Sequence, residues 1–92
     1  MIDRYGYPDC FYHRTHLGTV TIERDLKRPS EWMFRLNGKA IGHAYSSAEQ
    51  LAHLLSAHES GEEEWDNKKR IKVPDGIEHW ARGRDPVMPF RT

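Results

Sequence analysis

Three groups of residues in this 92-residue chain have the types and spacing that chemistry uses. The first is Cys10-x2-His13-x2-His16, a thiol and two imidazoles at intervals found among metal ligands. Structural zinc is held almost always by four ligands, usually as two separated pairs. Here there is no second cysteine, and a strand through the segment sends His13 and His16 to opposite faces. A polar strand with an incidental cysteine is the expectation. Cys10 with His13 as a nucleophile–base dyad lacks the strand-to-helix or helix N-terminal setting that activates a thiol. His53 and His58 lie five apart in a helical pattern, about 140° around the axis at about 100° per residue. They cannot grip one metal and read as surface and boundary histidines.

The second group is Glu62-Glu63-Glu64. Such a run could bind Mg²⁺, but consecutive carboxylates read better as a solvated face. No G-x-S-x-G and no phosphate-cradling glycine motif is present. The expectation is a protein without catalytic residues, metal, cofactor or small-molecule substrate, and so not an enzyme. A small hydrolase or metal-dependent nuclease built on His13, His16 and the carboxylates is the remote competitor.

The third group is basic. "KKRIK", residues 68–72, places Lys68, Lys69, Arg70 and Lys72 within five positions, with Trp65 before it and Trp80 after. In a strand Lys68, Arg70 and Lys72 share one face. Cations beside aromatic rings suit an RNA or DNA backbone or an acidic protein surface. The alternative is local: "EEEWD" stands directly upstream and could pair with the lysines. "RDLKR" supplies a second cluster, Arg24, Lys27 and Arg28, on an exposed connection. Trp65 reads either as an interface anchor, since Trp and Arg dominate binding hot spots, or as a lid on the core.

The elements that must position these groups follow from hydrophobic pattern. "YGYPDC" (5–10) reads as a turn, and residues from about Phe11 to His16 as a first extended segment ended by Gly18. "TVTIER" (19–24) alternates, with Val20 and Ile22 facing one way, and reads as a half-buried strand. "DLKRPS" (25–30) is a polar connection punctuated by Pro29. "EWMFRL" and "KAIGHAY" flank Asn37-Gly38, a strong signal for a type I′ hairpin. A two-residue turn pairs Leu36 with Lys39, Phe34 with Ile41 and Trp32 with His43. Trp32, Phe34 and Ile41 then face the core.

A helix follows, expected from about Ser47 to Glu59. Ser46 and Glu49 fit a capping box. Leu51, Leu54, Leu55 and His58 form its apolar stripe, and Gly61 its stop. "EEEWDNKKR" (62–70) is a loop or a further helical turn, "RIKV" (70–73) a short strand, and "IEHWAR" (77–82) one helical turn ending at Gly83. Residues 83–92 read as a loosely held tail. The fold class is thus α+β. One domain (1–92) carries an antiparallel sheet of about four strands on one main helix, with a short C-terminal helical turn.

Whole-chain properties limit function further. Ninety-two residues bury about 60–65% of the unfolded surface, which leaves one modest core. Fourteen Lys and Arg balance fourteen Asp and Glu. A phosphate-neutralising protein usually has a net basic balance and a DNA mimic an acidic excess, so partner choice lies in local patches. A single cysteine favours a reducing compartment. No apolar signal core and no run near the roughly 18 residues of a membrane span is present. The expectation is a soluble intracellular protein.

Residues 37–51, "NGKAIGHAYSSAEQL", resemble the corresponding turn, strand and helix start of small phage anti-CRISPR proteins directed at type I-F CRISPR-Cas systems. The shared features are Asn37-Gly38-Lys39, Gly42, Ser47 and Glu49-Gln50-Leu51, with one residue fewer here between the glycine and the serine. The resemblance implies a small α+β domain without catalysis. It also implies residence in the cytoplasm of an infected bacterial host and binding to the Cas proteins of a crRNA-guided surveillance complex. Contact with the crRNA and steric block of target-DNA recognition fit that implication. The family's contacts come from strands upstream of this motif, which do not align with this chain, so no contact residue carries over. Lys68, Lys69, Arg70, Lys72, Trp65 and the Arg24/Lys27/Arg28 cluster are expected at the interface. The competing reading is a small phage nucleic-acid-binding or regulatory module using Lys68–Lys72 directly.

Overall fold

β-Rich alternation at both ends of an Asn-Gly turn builds a meander, and a leucine-striped helix closes one side of it. The computed structural model describes residues 10–25, 27, 28 and 30–83. The expected turn at 5–9, Leu26 and Pro29 of the polar connection, and the tail from 84 to 92 lie outside the described residues. Four strands follow in order, β1 (Cys10–Thr15), β2 (Gly18–Arg24), β3 (Trp32–Leu36) and β4 (Lys39–Tyr45). Helix α1 (Ala48–Ala57), the short helix α2 (Glu63–Asp66), a 3₁₀ turn (Ile77–His79) and strand β5 (Ala81–Arg82) complete the chain. The protein is a small α+β domain. Its antiparallel sheet has five strands in the order β4-β3-β2-β1-β5.

Register places the core. Phe11 pairs with Ile22, Ile22 with Phe34 and Phe34 with Ile41, so these four side chains line one face. That face packs on Ala48, Leu51, Ala52 and Leu55 of α1. The buried helical set keeps the expected 3.6 period but is shifted toward the N-terminus. Ala48 and Ala52 enter the core, while Leu54 and His58 stay half-buried.

Several local expectations are corrected. The helix cap is Ser47, whose hydroxyl accepts the Gln50 amide at 3.0 Å, not Ser46. Gln50 occupies the third helical position and its side chain meets the Ser46 hydroxyl. α1 ends at His58, in the left-handed region (φ 57°), rather than at Gly61. Trp32 pairs with Tyr45, not His43. Between the Phe34–Ile41 and Trp32–Tyr45 pairs, β3 spends one residue and β4 three, a bulge containing Gly42 at φ 89°. Residues 70–73 are not a strand, and 77–82 divide into the 3₁₀ turn and β5, which pairs with β1.

Candidate partner-binding site

Three charges of the basic run stand on a segment whose apolar residues are rooted in the core. Ile71 is fully buried (0% exposed) and Val73 nearly so, while Arg70 and Lys72 between and beside them are exposed, as is Lys69. Lys68 is half-buried, in a turn where its carbonyl accepts the Ile71 amide at 2.9 Å. The inside–outside alternation expected of a strand therefore holds from Arg70 to Val73 without a strand partner among the described residues.

Side chains from elsewhere replace the missing ladder. His58 Nε2 lies 2.8 Å from the Ile71 carbonyl oxygen, and a carbonyl only accepts, so that nitrogen carries the proton. The Trp80 indole donates to the Pro74 carbonyl at 3.0 Å. His53 Nδ1 sits 2.8 Å from Asp75 Oδ1. Backbone 71–75 is thus held by α1 on one side and by Trp80 on the other.

The acidic run upstream spends its charges elsewhere. Glu64 pairs with Lys39 at 3.3 Å. Asp66 accepts from the Ser60 amide, the Ser60 hydroxyl and the Gly61 amide at 2.8–3.0 Å. Glu62 lies against Gly42, where a Cβ would meet its Cγ at 2.5 Å. Glu63 is exposed. Among the described residues, Lys68, Lys69, Arg70 and Lys72 form no ion pair. Of the two readings of "KKRIK", local compensation by "EEEWD" is not what the chain does.

Trp65 is corrected from interface anchor to core. It is fully buried (0% exposed), donates its indole N–H to the Leu55 carbonyl at 3.0 Å, meets Phe34 edge-on at 6.1 Å and stacks on His58 at 5.2 Å. The Leu55 carbonyl is one of the last four in α1 and also accepts the His58 amide at 3.2 Å, so Trp65 fills the core and adds a second donor at the helix end. In the second basic cluster the charges of Arg24 and Arg28 have local contacts. The Arg24 guanidinium lies over the Trp32 ring at 4.5 Å. Arg28 stands 3.7 Å from Glu31, and the Lys27 amide donates to Asp25. Lys27 and Arg28 are exposed on the β2–β3 connection, a different element from the 68–72 segment.

The residues of the other two groups are also placed. Cys10 is buried, His13 half-buried with its ring 5.8 Å from Trp80, and His16 exposed in the β1–β2 turn. Burial pushes the His13 pKa below its ordinary value. Among the described residues no three His, Cys, Asp or Glu side chains converge as a metal ion requires. No described helix is long and apolar enough to cross a membrane.

His58 and Asp66, which hold the segment and the loop before it, were not singled out for that role in the sequence. His58 read only as the edge of a stripe, and Asp66 only as part of a charge run. Two electrostatic effects follow. Burial alone would raise the Asp66 pKa, but the donors from Ser60 and Gly61 and the nearby His58 hold it below the ordinary carboxylate value. Tyr45 donates its hydroxyl to the Ser60 carbonyl at 2.7 Å, and its pKa is pushed up to about 12, mainly by burial. No protein-family model matches the chain, and neither a curated protein nor a solved structure matches it.

Proposed function

We propose that this chain is a non-catalytic binding protein that sets Lys69, Arg70 and Lys72 against a partner carrying negative charge. One observation carries the reading: the three cations are exposed and without ion pairs among the described residues, on backbone that is anchored on both sides. The anchored backbone needs no ordering on binding, so the entropy cost is confined to the side chains themselves. Their charge is not spent on "EEEWD".

The resemblance of residues 37–51 to phage anti-CRISPR proteins supplies the partner. In this proposal it is the crRNA-guided type I-F surveillance complex, met on its Cas subunits or its crRNA, and inhibition is steric block of target-DNA recognition in the bacterial cytoplasm. Residues 37–51 themselves supply scaffold: the hairpin turn, the bulged edge strand and the cap of α1.

The test is size-exclusion chromatography of the purified chain mixed with that complex, followed by a target-DNA binding assay. Co-elution and lost DNA binding are expected. Separate elution with undisturbed DNA binding would overturn the partner assignment. The same unpaired cations support the second reading, a module that grips nucleic acid directly. Affinity for free DNA or RNA that falls steeply with salt, by about one unit of log–log slope per phosphate contact, would favour that reading instead.

A further inference from the structure

Asn37 and Gly38 form the tip of the β3–β4 hairpin, where both are exposed and take positive φ, 53° and 91°. The Asn37 amide donates to the Thr19 carbonyl at 2.7 Å, which fixes the backbone entering the turn. The Asn37 side chain lies over Gly18, where a Cβ would meet its Cγ at 2.9 Å. It makes no hydrogen bond among the described residues, so turning it away gives up only van der Waals contact. The Gly38 N–H has no acceptor among the described residues, and a Cβ on Gly38 would meet nothing within 4 Å. A primary amide carbon and an unbonded, unshielded backbone nitrogen therefore occur on adjacent residues.

We propose that Asn37 is a modification site, at which the side-chain amide is lost by attack of the Gly38 nitrogen with water as co-reactant. That nitrogen gives up its proton and bonds to Asn37 Cγ, closing a succinimide ring, while the side-chain nitrogen takes a proton and leaves as ammonia. Water then opens the ring at either carbonyl, giving aspartate or isoaspartate, with no oxidant or reductant needed. Attack requires the turn to relax from its folded φ and ψ, and a loop tip is where such local opening costs least. The chain's other asparagine, Asn67, is also exposed. There the amide that would attack, that of Lys68, is bonded to the Trp65 carbonyl at 2.9 Å. The two products differ in consequence. Aspartate tolerates the left-handed region as asparagine does and keeps the turn. Isoaspartate adds one methylene to a two-residue turn whose length sets the Leu36–Lys39 and Phe34–Ile41 pairs, and Phe34 and Ile41 are core residues. The site is on a different element from residues 68–72 and stands whether or not that segment binds its partner.

The test is incubation of the folded chain in mildly alkaline buffer, with peptide mapping by mass spectrometry at intervals. Loss of the Asn37 amide is expected, with aspartate and isoaspartate both formed and the Asn67 amide retained. Lys68→Gly gives Asn67 the same following residue as Asn37 but leaves the attacking nitrogen bonded to the Trp65 carbonyl. In that variant Asn67 should still react at least about tenfold more slowly than Asn37, the scale of one hydrogen bond to be broken. Asn37→Asp should melt close to the unaltered chain, and the chromatographically separated isoaspartate fraction at least about 4 °C lower. An Asn37 amide that survives as long as that of Asn67 would overturn the proposal, as would equal loss at the two sites in Lys68→Gly. An isoaspartate fraction as stable as the unaltered chain would overturn the consequence drawn for the fold.

Discussion

At the scale of single residues, Trp65 shows how one side chain can mislead and then explain. Its place between acidic and basic runs suggests an exposed anchor. Yet the polar final third offers few large apolar groups, and Trp65, Ile71, Val73 and Trp80 are those that close the core. Trp65→Ala should cost about 3–5 kcal/mol of stability in urea unfolding. Trp65→Phe should cost less, since the Leu55 carbonyl loses the indole donor but keeps the His58 amide at 3.2 Å. Asp66 makes a different prediction. Its folded pKa lies below the ordinary 3.8, so protons bind more readily to the unfolded chain. Its contribution is therefore present above 3.8 and lost as pH falls through the lower folded value. Unfolding free energy measured against pH should decline in that acid range, and Asp66→Asn should flatten the decline while lowering stability at neutral pH.

At the scale of elements, the hairpin was the most legible part. Asn37 and Gly38 both take positive φ, and the Phe34–Ile41 and Leu36–Lys39 pairs form as the two-residue turn requires. The bulge was not legible, because Gly42 reads equally well as an ordinary strand glycine, and the Tyr45 that pairs with Trp32 bonds through its hydroxyl to the Ser60 carbonyl, fifteen residues away in the chain. The cap was misplaced by one position because Ser46 and Ser47 both head an S-x-x-E/Q pattern, with Glu49 and Gln50 respectively. Geometry separates them. Ser47→Ala should cost about 1 kcal/mol in thermal or urea unfolding, and Ser46→Ala distinctly less. The end of α1 at His58 was hidden because glycine is the usual left-handed residue, whereas here the ring's bond to Ile71 and its stacking on Trp65 hold a histidine there. β5 was hidden because a two-residue strand has no period to read.

At the scale of the whole molecule, the α+β class and the one-sided core followed from alternation and the leucine stripe. The fate of the charges did not, since zero net charge is compatible with complete internal pairing or with none. The structure directs Glu64 and Asp66 away from the basic run and leaves Lys69, Arg70 and Lys72 without ion pairs among the described residues. If those cations serve binding and not folding, reversing them should leave thermal stability within about 0.5 kcal/mol, as for other surface changes. The most direct measurement is the affinity of the triple variant Lys69→Glu/Arg70→Glu/Lys72→Glu for the purified type I-F surveillance complex, beside the unaltered chain and with both melting curves recorded. Tight binding by the unaltered chain is expected, and binding weaker by at least about tenfold, near 1.4 kcal/mol, in an equally stable variant. Equal binding by the two chains would contradict that role for the three cations.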